Sequence, residues 1–239
     1  MMFAPLSLST GIPLPYSPQT DDGLAILLLC CFFLSAHVLS RSRKFLFQLG
    51  KDFLFNRERT SIFATSTAAD MRYLLLLILQ TFVLTGVCIY TYTLKQMPAL
   101  LQVVAPPLLL ICLIAVCLFY FALKWAVYLF LGWIFFDKQQ TSFWLESYST
   151  LLYYLGFTLF PFTLLAVYFD LNLHFVLIFG LILYVFSKIL MLYKWLKLFC
   201  DNLHGCLLLI LYFCALEIIP TFLMYRGMVQ LTECLIIKI

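Results

Sequence analysis

Long apolar stretches separated by short polar ones set the rhythm of this chain. Six stretches stand out, at residues 23–39, 73–94, 101–123, 143–169, 173–192 and 205–225. A helix needs about 20 apolar residues to cross a hydrocarbon core of about 30 Å, and each stretch is near that length. The pattern predicts an all-α, polytopic transmembrane helical bundle of about six spans.

Two regions depart from the simple rhythm. Residues 99–136 carry a single charge, Lys124, and as one straight helix would measure about 57 Å, nearly twice the core thickness. No glycine or proline between Leu108 and Leu131 offers a tight hairpin. The expectation is one span over 101–123 and an interfacial continuation over 125–136, with Pro106 and Pro107 in the first turns, where proline is tolerated. Two Phe-Leu-Phe triplets, at 45–47 and 53–55, flank Lys51. They predict a second interfacial segment over 45–56, although its apolar face is not clean.

Residues 1–22 form a polar tail with four prolines and no Lys or Arg. A cleavable signal peptide would place basic residues before its apolar core, so 23–39 reads as a retained span. Residues 226–239 form a short mixed tail.

The basic residues orient the bundle. Of fifteen Lys and Arg, seven fall in 40–72, two in 124–142 and three in 188–204. Only Lys95, Arg226 and Lys238 fall in the remaining segments. Lys and Arg concentrate on the cytoplasmic side, so both termini are expected on the outer side. These residues also account for the net charge of +4. They face anionic lipid headgroups rather than nucleic acid.

Composition narrows the function. The chain is 64% hydrophobic and 11% charged, with a mean hydropathy of +1.04. Average soluble domains carry about 25% charged residues. The lipid bilayer is the expected first partner and other membrane proteins the second. Seven of nine cysteines lie inside apolar runs, and no C-x-x-C occurs, so neither metal nor redox cofactor is expected. The motifs of phosphate-binding loops, dinucleotide folds, serine hydrolases and zinc proteases are absent from the sequence. His37, His174 and His204 lie far apart, each near a helix end.

The candidate polar site is Glu217 with Pro220 and Tyr212 in the sixth span. An acid at the middle of a span costs about 2.5–3.5 kcal/mol on insertion scales, so it should face the bundle or a wet cavity. Pro220 withholds the donor that would have bonded the Leu216 carbonyl, placing a free acceptor near the carboxyl. The depth of the span puts Glu217 past the midplane toward the outer side, where Lys95, Arg226 and His174 are the nearby cations. The fourth span repeats the frame: Tyr153 precedes Pro161 by eight residues, as Tyr212 precedes Pro220. Thr158 then stands where Glu217 stands. Hairpins over 99–168 and 173–225 would be a parallel repeat. Lys124, Glu146 and Lys188 fall near the cytoplasmic boundary on three spans; lysines there extend toward water without needing a partner.

The segment Leu211, Tyr212, Cys214, Ala215, Leu216, Glu217, Ile218 and Pro220, read with Pro161, resembles the carboxy-terminal helix of a bacterial multi-pass family found mainly in the Bacteroidota, the domain-of-unknown-function 4271 family. The resemblance spans the basic loop after the first span through Tyr225. It implies a bacterial inner-membrane location and brings no activity. The function expected is a non-enzymatic subunit or assembly factor of an inner-membrane complex. The alternative is a small transporter or channel using the Glu-x-x-Pro site. An enzyme acting on lipid would need a nucleophile, an acid–base pair or a metal cluster at one depth, and the sequence shows none.

Overall fold

The computed structural model describes residues 17–55, 68–97, 104–135, 138–169 and 171–199, together with 221–222, 226–227 and 230. After a short 3-10 turn, Pro18–Thr20, five long helices follow: α1 Asp22–Phe55, α2 Ala68–Gln96, α3 Pro106–Phe135, α4 Lys138–Tyr168 and α5 Leu173–Phe199. Each contains a stretch long and apolar enough to cross a membrane. Among the described residues there is no strand. The protein is an all-α transmembrane bundle. Successive helices run antiparallel, so the ends rich in Arg and Lys gather at one end of the bundle.

The centre is the pair α2 and α4, which pack most extensively against each other. Of the apolar window of α2, 61% is buried, and of α4 50%; for α1, α3 and α5 the shares are 22%, 17% and 11%. The central position of α2 follows from its small hydroxyl residues. Thr81, Thr85, Thr91 and Thr93 each donate to the carbonyl four residues back, at 2.7–2.9 Å. That bond satisfies the hydroxyl inside the helix and leaves a slim surface for neighbours. Gly156 of α4 sits against Thr81, where a methyl group would collide with the Thr81 hydroxyl. The same hydroxyl lies 3.1 Å from the Leu152 carbonyl, joining the two helices.

The helix starts at the end away from the basic cluster are locally encoded. Asp21 Oδ1 accepts from the Gly23 amide at 2.9 Å and so caps α1. Pro106 opens α3, where its missing N–H costs nothing. Lys95 donates to the Leu171 carbonyl at 2.9 Å, tying the end of α2 to the α4–α5 connection.

Both anomalous regions become parts of long helices. The segment after the first span continues α1 through one non-helical residue, Ser42 (φ −117°, ψ 22°). Beyond it, Leu46 and Leu49 are buried against Leu74, Leu77 and Tyr153, while Phe47 points outward. The phenylalanine triplets hide a leucine face that docks on α2 and α4. The 99–136 region likewise yields one unbroken helix, α3, about 45 Å long, which starts at Pro106 rather than at 101. Its second half is held by α4: Tyr128 stacks edge-on against Trp144 and Tyr148, with centroids 5.5 and 5.4 Å away. α4 and α5 also outrun their predicted spans, starting at Lys138 and ending at Phe199 respectively. The sixth predicted span, 205–225, lies outside the described residues apart from Thr221 and Phe222.

Candidate functional site

α3 and α5 carry the same two residues at the same spacing, Tyr120 with Lys124 and Tyr184 with Lys188. Residues four apart share a helix face, so each tyrosine and its lysine look the same way. Both faces meet one residue of the carboxy-terminal segment. Thr221 Oγ1 lies 2.9 Å from the Tyr120 hydroxyl and accepts from the Tyr184 hydroxyl at 3.2 Å. Thr221 therefore sits in the seam between α3 and α5.

The lysines stand one turn further toward the basic end. The Lys124 ammonium lies 5.7 Å from the Tyr120 ring centroid and 6.0 Å from that of Tyr128. The Lys188 ammonium lies 5.1 Å from the Tyr184 ring. Lys124 is only 4% exposed. Aromatic faces attract a cation. Behind Lys124 the wall is aromatic: Phe121 contacts Phe82, Trp125 and Tyr148 at centroid distances of 4.6–6.1 Å.

The profile of one protein family matches residues 24–228, the greater part of the chain. The chain belongs to this family, Domain of unknown function (DUF4271). The match begins inside α1, earlier than the basic loop, and runs past Tyr225. All five helices and the whole Tyr-x-x-x-Lys seam thus belong to the DUF4271 domain. No curated protein and no solved structure matches the chain.

Within this DUF4271 domain the sequence-derived candidates scatter. Glu217, Pro220 and Tyr212 lie outside the described residues. Thr158 is exposed on α4, where its hydroxyl donates to the Tyr154 carbonyl at 3.1 Å. Pro161 is exposed inside the same helix and withholds a donor from the Phe157 carbonyl. Lys124 and Glu146 are buried and Lys188 is half-buried. Glu146 is buried, and helical spacing puts it on the face of α4 that holds Thr150 and Tyr153. Trp144 and Tyr148, which meet Tyr128 of α3, lie on another face.

A second polar layer joins α1, α2 and α4. Gln80 donates to the Ser35 hydroxyl at 2.6 Å, and the Tyr154 hydroxyl donates to the Leu46 carbonyl at 2.8 Å. Gly50 gives the Tyr154 ring its room: a methyl there would strike the phenol. Lys194 places its ammonium 4.7 Å from the Phe53 ring. Cys88 and Thr163 meet at 3.2 Å between α2 and α4. Among the described residues no three His, Cys, Asp or Glu side chains gather as metal ligands.

Sequence reasoning passed over Tyr120, Tyr184 and Thr221. Their signal was present as two Tyr-x-x-x-Lys turns on helices running in the same direction. What was missing was a reason to align those turns at one depth, and only the position of Thr221 supplies it.

Proposed function

We propose that this DUF4271 protein is a non-enzymatic subunit or assembly factor of a complex in the bacterial inner (cytoplasmic) membrane. The observation that carries the reading is how the polar side chains of the bundle are used. Gln80 with Ser35, Thr81 with the Leu152 carbonyl, Tyr154 with the Leu46 carbonyl and Lys95 with the Leu171 carbonyl each fasten one element to another. Such bonds, with close-packed small residues, hold membrane helices together where no hydrophobic force acts between them. The exposed aromatic faces of α3 and α5, with Phe119, Phe130, Trp133, Phe175 and Phe186, are available to lipid and to neighbouring spans. The basic loops support the inner-membrane orientation.

The test is native mass spectrometry of the protein taken from its own membranes in mild detergent. The expected result is a complex of fixed stoichiometry with a different membrane polypeptide. A species made only of this chain would overturn the reading.

The second reading, a small transporter or channel, is favoured by one observation, the buried Lys124 close to the Tyr120–Thr221–Tyr184 contact. Polar groups inside spans commonly mark ion pathways. Purified protein in sealed vesicles would then conduct or exchange ions, and Lys124→Met would abolish the flux. Vesicles no leakier than protein-free ones would exclude it.

A further inference from the structure

We propose that residues 43–55, the second half of α1, form a crossbar in the headgroup layer of the membrane at the basic end of the bundle, where Lys44 and Lys51 bind the headgroups of anionic phospholipids. The inference stands apart from the partner-protein reading. It starts from the depth at which this segment docks. Gln80 donates to the Ser35 hydroxyl, which sets the level of α1 against α2 before the bend. A straight α1 would carry Leu46 about 16 Å and Leu49 about 21 Å beyond Ser35. Both instead share one buried cluster with Leu74 and Leu77, which stand only about 9 and 4.5 Å from Gln80 along α2. The Leu46 carbonyl also accepts from the Tyr154 hydroxyl, and Tyr154 stands near the level of Thr81, whose hydroxyl donates to the Leu152 carbonyl. The difference in length is taken up at Ser42, the non-helical residue of α1. There α1 turns across the bundle instead of running on out of it.

The far end of the crossbar is fixed as well. The Phe53 ring lies 4.7 Å from the Lys194 ammonium of α5 and packs on the cluster that holds Tyr148 and Met191. The segment thus passes α2 and α4 and ends on α5. Leu74 and Leu77 belong to the apolar span of α2, Arg72–Gln96, so the crossbar lies at the edge of the hydrocarbon core and not out in water. Its faces are sorted accordingly. Leu46 and Leu49 are buried and Phe53 is half-buried on one face. Lys44, Gln48 and Lys51, four and three residues apart, are exposed on the opposite face. Phe47, on the flank between them, is 76% exposed. An apolar face turned inward, a cationic face turned outward and an aromatic flank make a helix that lies in the plane of the interface. Arg41 and Arg43 stand exposed on either side of the bend and add to the positive charge. Clustered lysines and arginines beside a span attract anionic headgroups. An acidic protein in water would satisfy the lysines but would leave Phe47 without a use, whereas the acyl boundary takes both.

Two measurements on the full chain test the proposal. The first gives position. In a background with all cysteines replaced, Phe47→Cys and Gln48→Cys each carry a fluorophore in vesicles of phosphatidylcholine and phosphatidylglycerol. A lipid with a nitroxide near its headgroup should quench the label at 47, and a water-soluble quencher should act more strongly on the label at 48. Quenching of both labels from the water alone would overturn the proposal and leave the basic face to an acidic protein. The second measurement keeps the natural cysteines, so it holds even where the cysteine-free chain does not fold. Spin-labelled phosphatidylglycerol should be retained at the protein surface in preference to spin-labelled phosphatidylcholine. Each lysine near an anionic surface contributes about fivefold, so Lys44→Gln with Lys51→Gln should cut the preference by at least that factor. Lys44→Arg with Lys51→Arg should keep it. No preference, or one that the glutamine pair leaves intact, would equally overturn the proposal.

Discussion

Glycine at position 156 and glycine at position 180 make opposite demands. At Gly156 a methyl group would meet the Thr81 hydroxyl, while at Gly180 nothing lies within 4 Å of the new carbon. Gly156→Ala should therefore force α2 and α4 apart and destabilise the bundle by about 1–3 kcal/mol, the usual cost of overpacking. Gly180→Ala fills open space and should be neutral or stabilise by up to about 1 kcal/mol through helix propensity. Unfolding free energies in detergent would check the pair. Equal effects would show that α2 and α4 do not touch at Thr81. The Gln80–Ser35 bond gives a further residue-scale expectation. Ser35→Ala should cost about 0.6 kcal/mol, the average for hydrogen bonds between membrane helices, and at most about 1.7 kcal/mol, read from the same unfolding curves. An unchanged curve would show that the 2.6 Å contact does not hold α1 to α2.

At the scale of elements, the informative case is α3. Hydropathy marked its apolar residues but could not say whether 125–136 left the bundle, because Phe, Leu and Trp suit an interface and a packed face alike. The structure resolves this through partners: Tyr128 meets Trp144 and Tyr148, while Leu129, Phe130, Trp133 and Ile134 remain exposed. Single cysteines at 126–135, with Cys112 and Cys117 replaced, should therefore react with period 3.6. Position 128 should be slow, and positions 129, 130, 133 and 134 fast toward a membrane-permeant maleimide. Uniform reactivity would mean that this half of α3 does not pack on α4. The same ambiguity covered residues 45–56. Leu46 lies inside the first Phe-Leu-Phe triplet and Leu49 between the two, a face too narrow to read without knowing that α2 and α4 stand beside it.

For the whole molecule, the order of the five described helices was legible from hydropathy, and so was their antiparallel succession, because each apolar stretch is long enough to cross the bilayer once; the sixth expected span lies outside the described residues. Which helices lie at the centre was not legible. α2 is less apolar than α5, but what makes it central is the set of threonines and Gly86 that let it be approached closely. The candidate site was half legible. Glu217 and Pro220 were visible as a costly pair in a span but lie outside the described residues, while the meeting of Tyr120 and Tyr184 at Thr221 depends on register between helices, which periodicity within one helix does not contain. The orientation of the bundle rests on the basic residues gathered at one end. Five helices crossing once each put alternate connections on opposite sides of the membrane. The most direct measurement is a topology reporter placed after Asn172, between α4 and α5. The account predicts an outer-side signal there, with cytoplasmic signals from fusions after Lys51 and after Lys197. A cytoplasmic signal after Asn172 would contradict it, because α3 and α4 could not then each cross the membrane once.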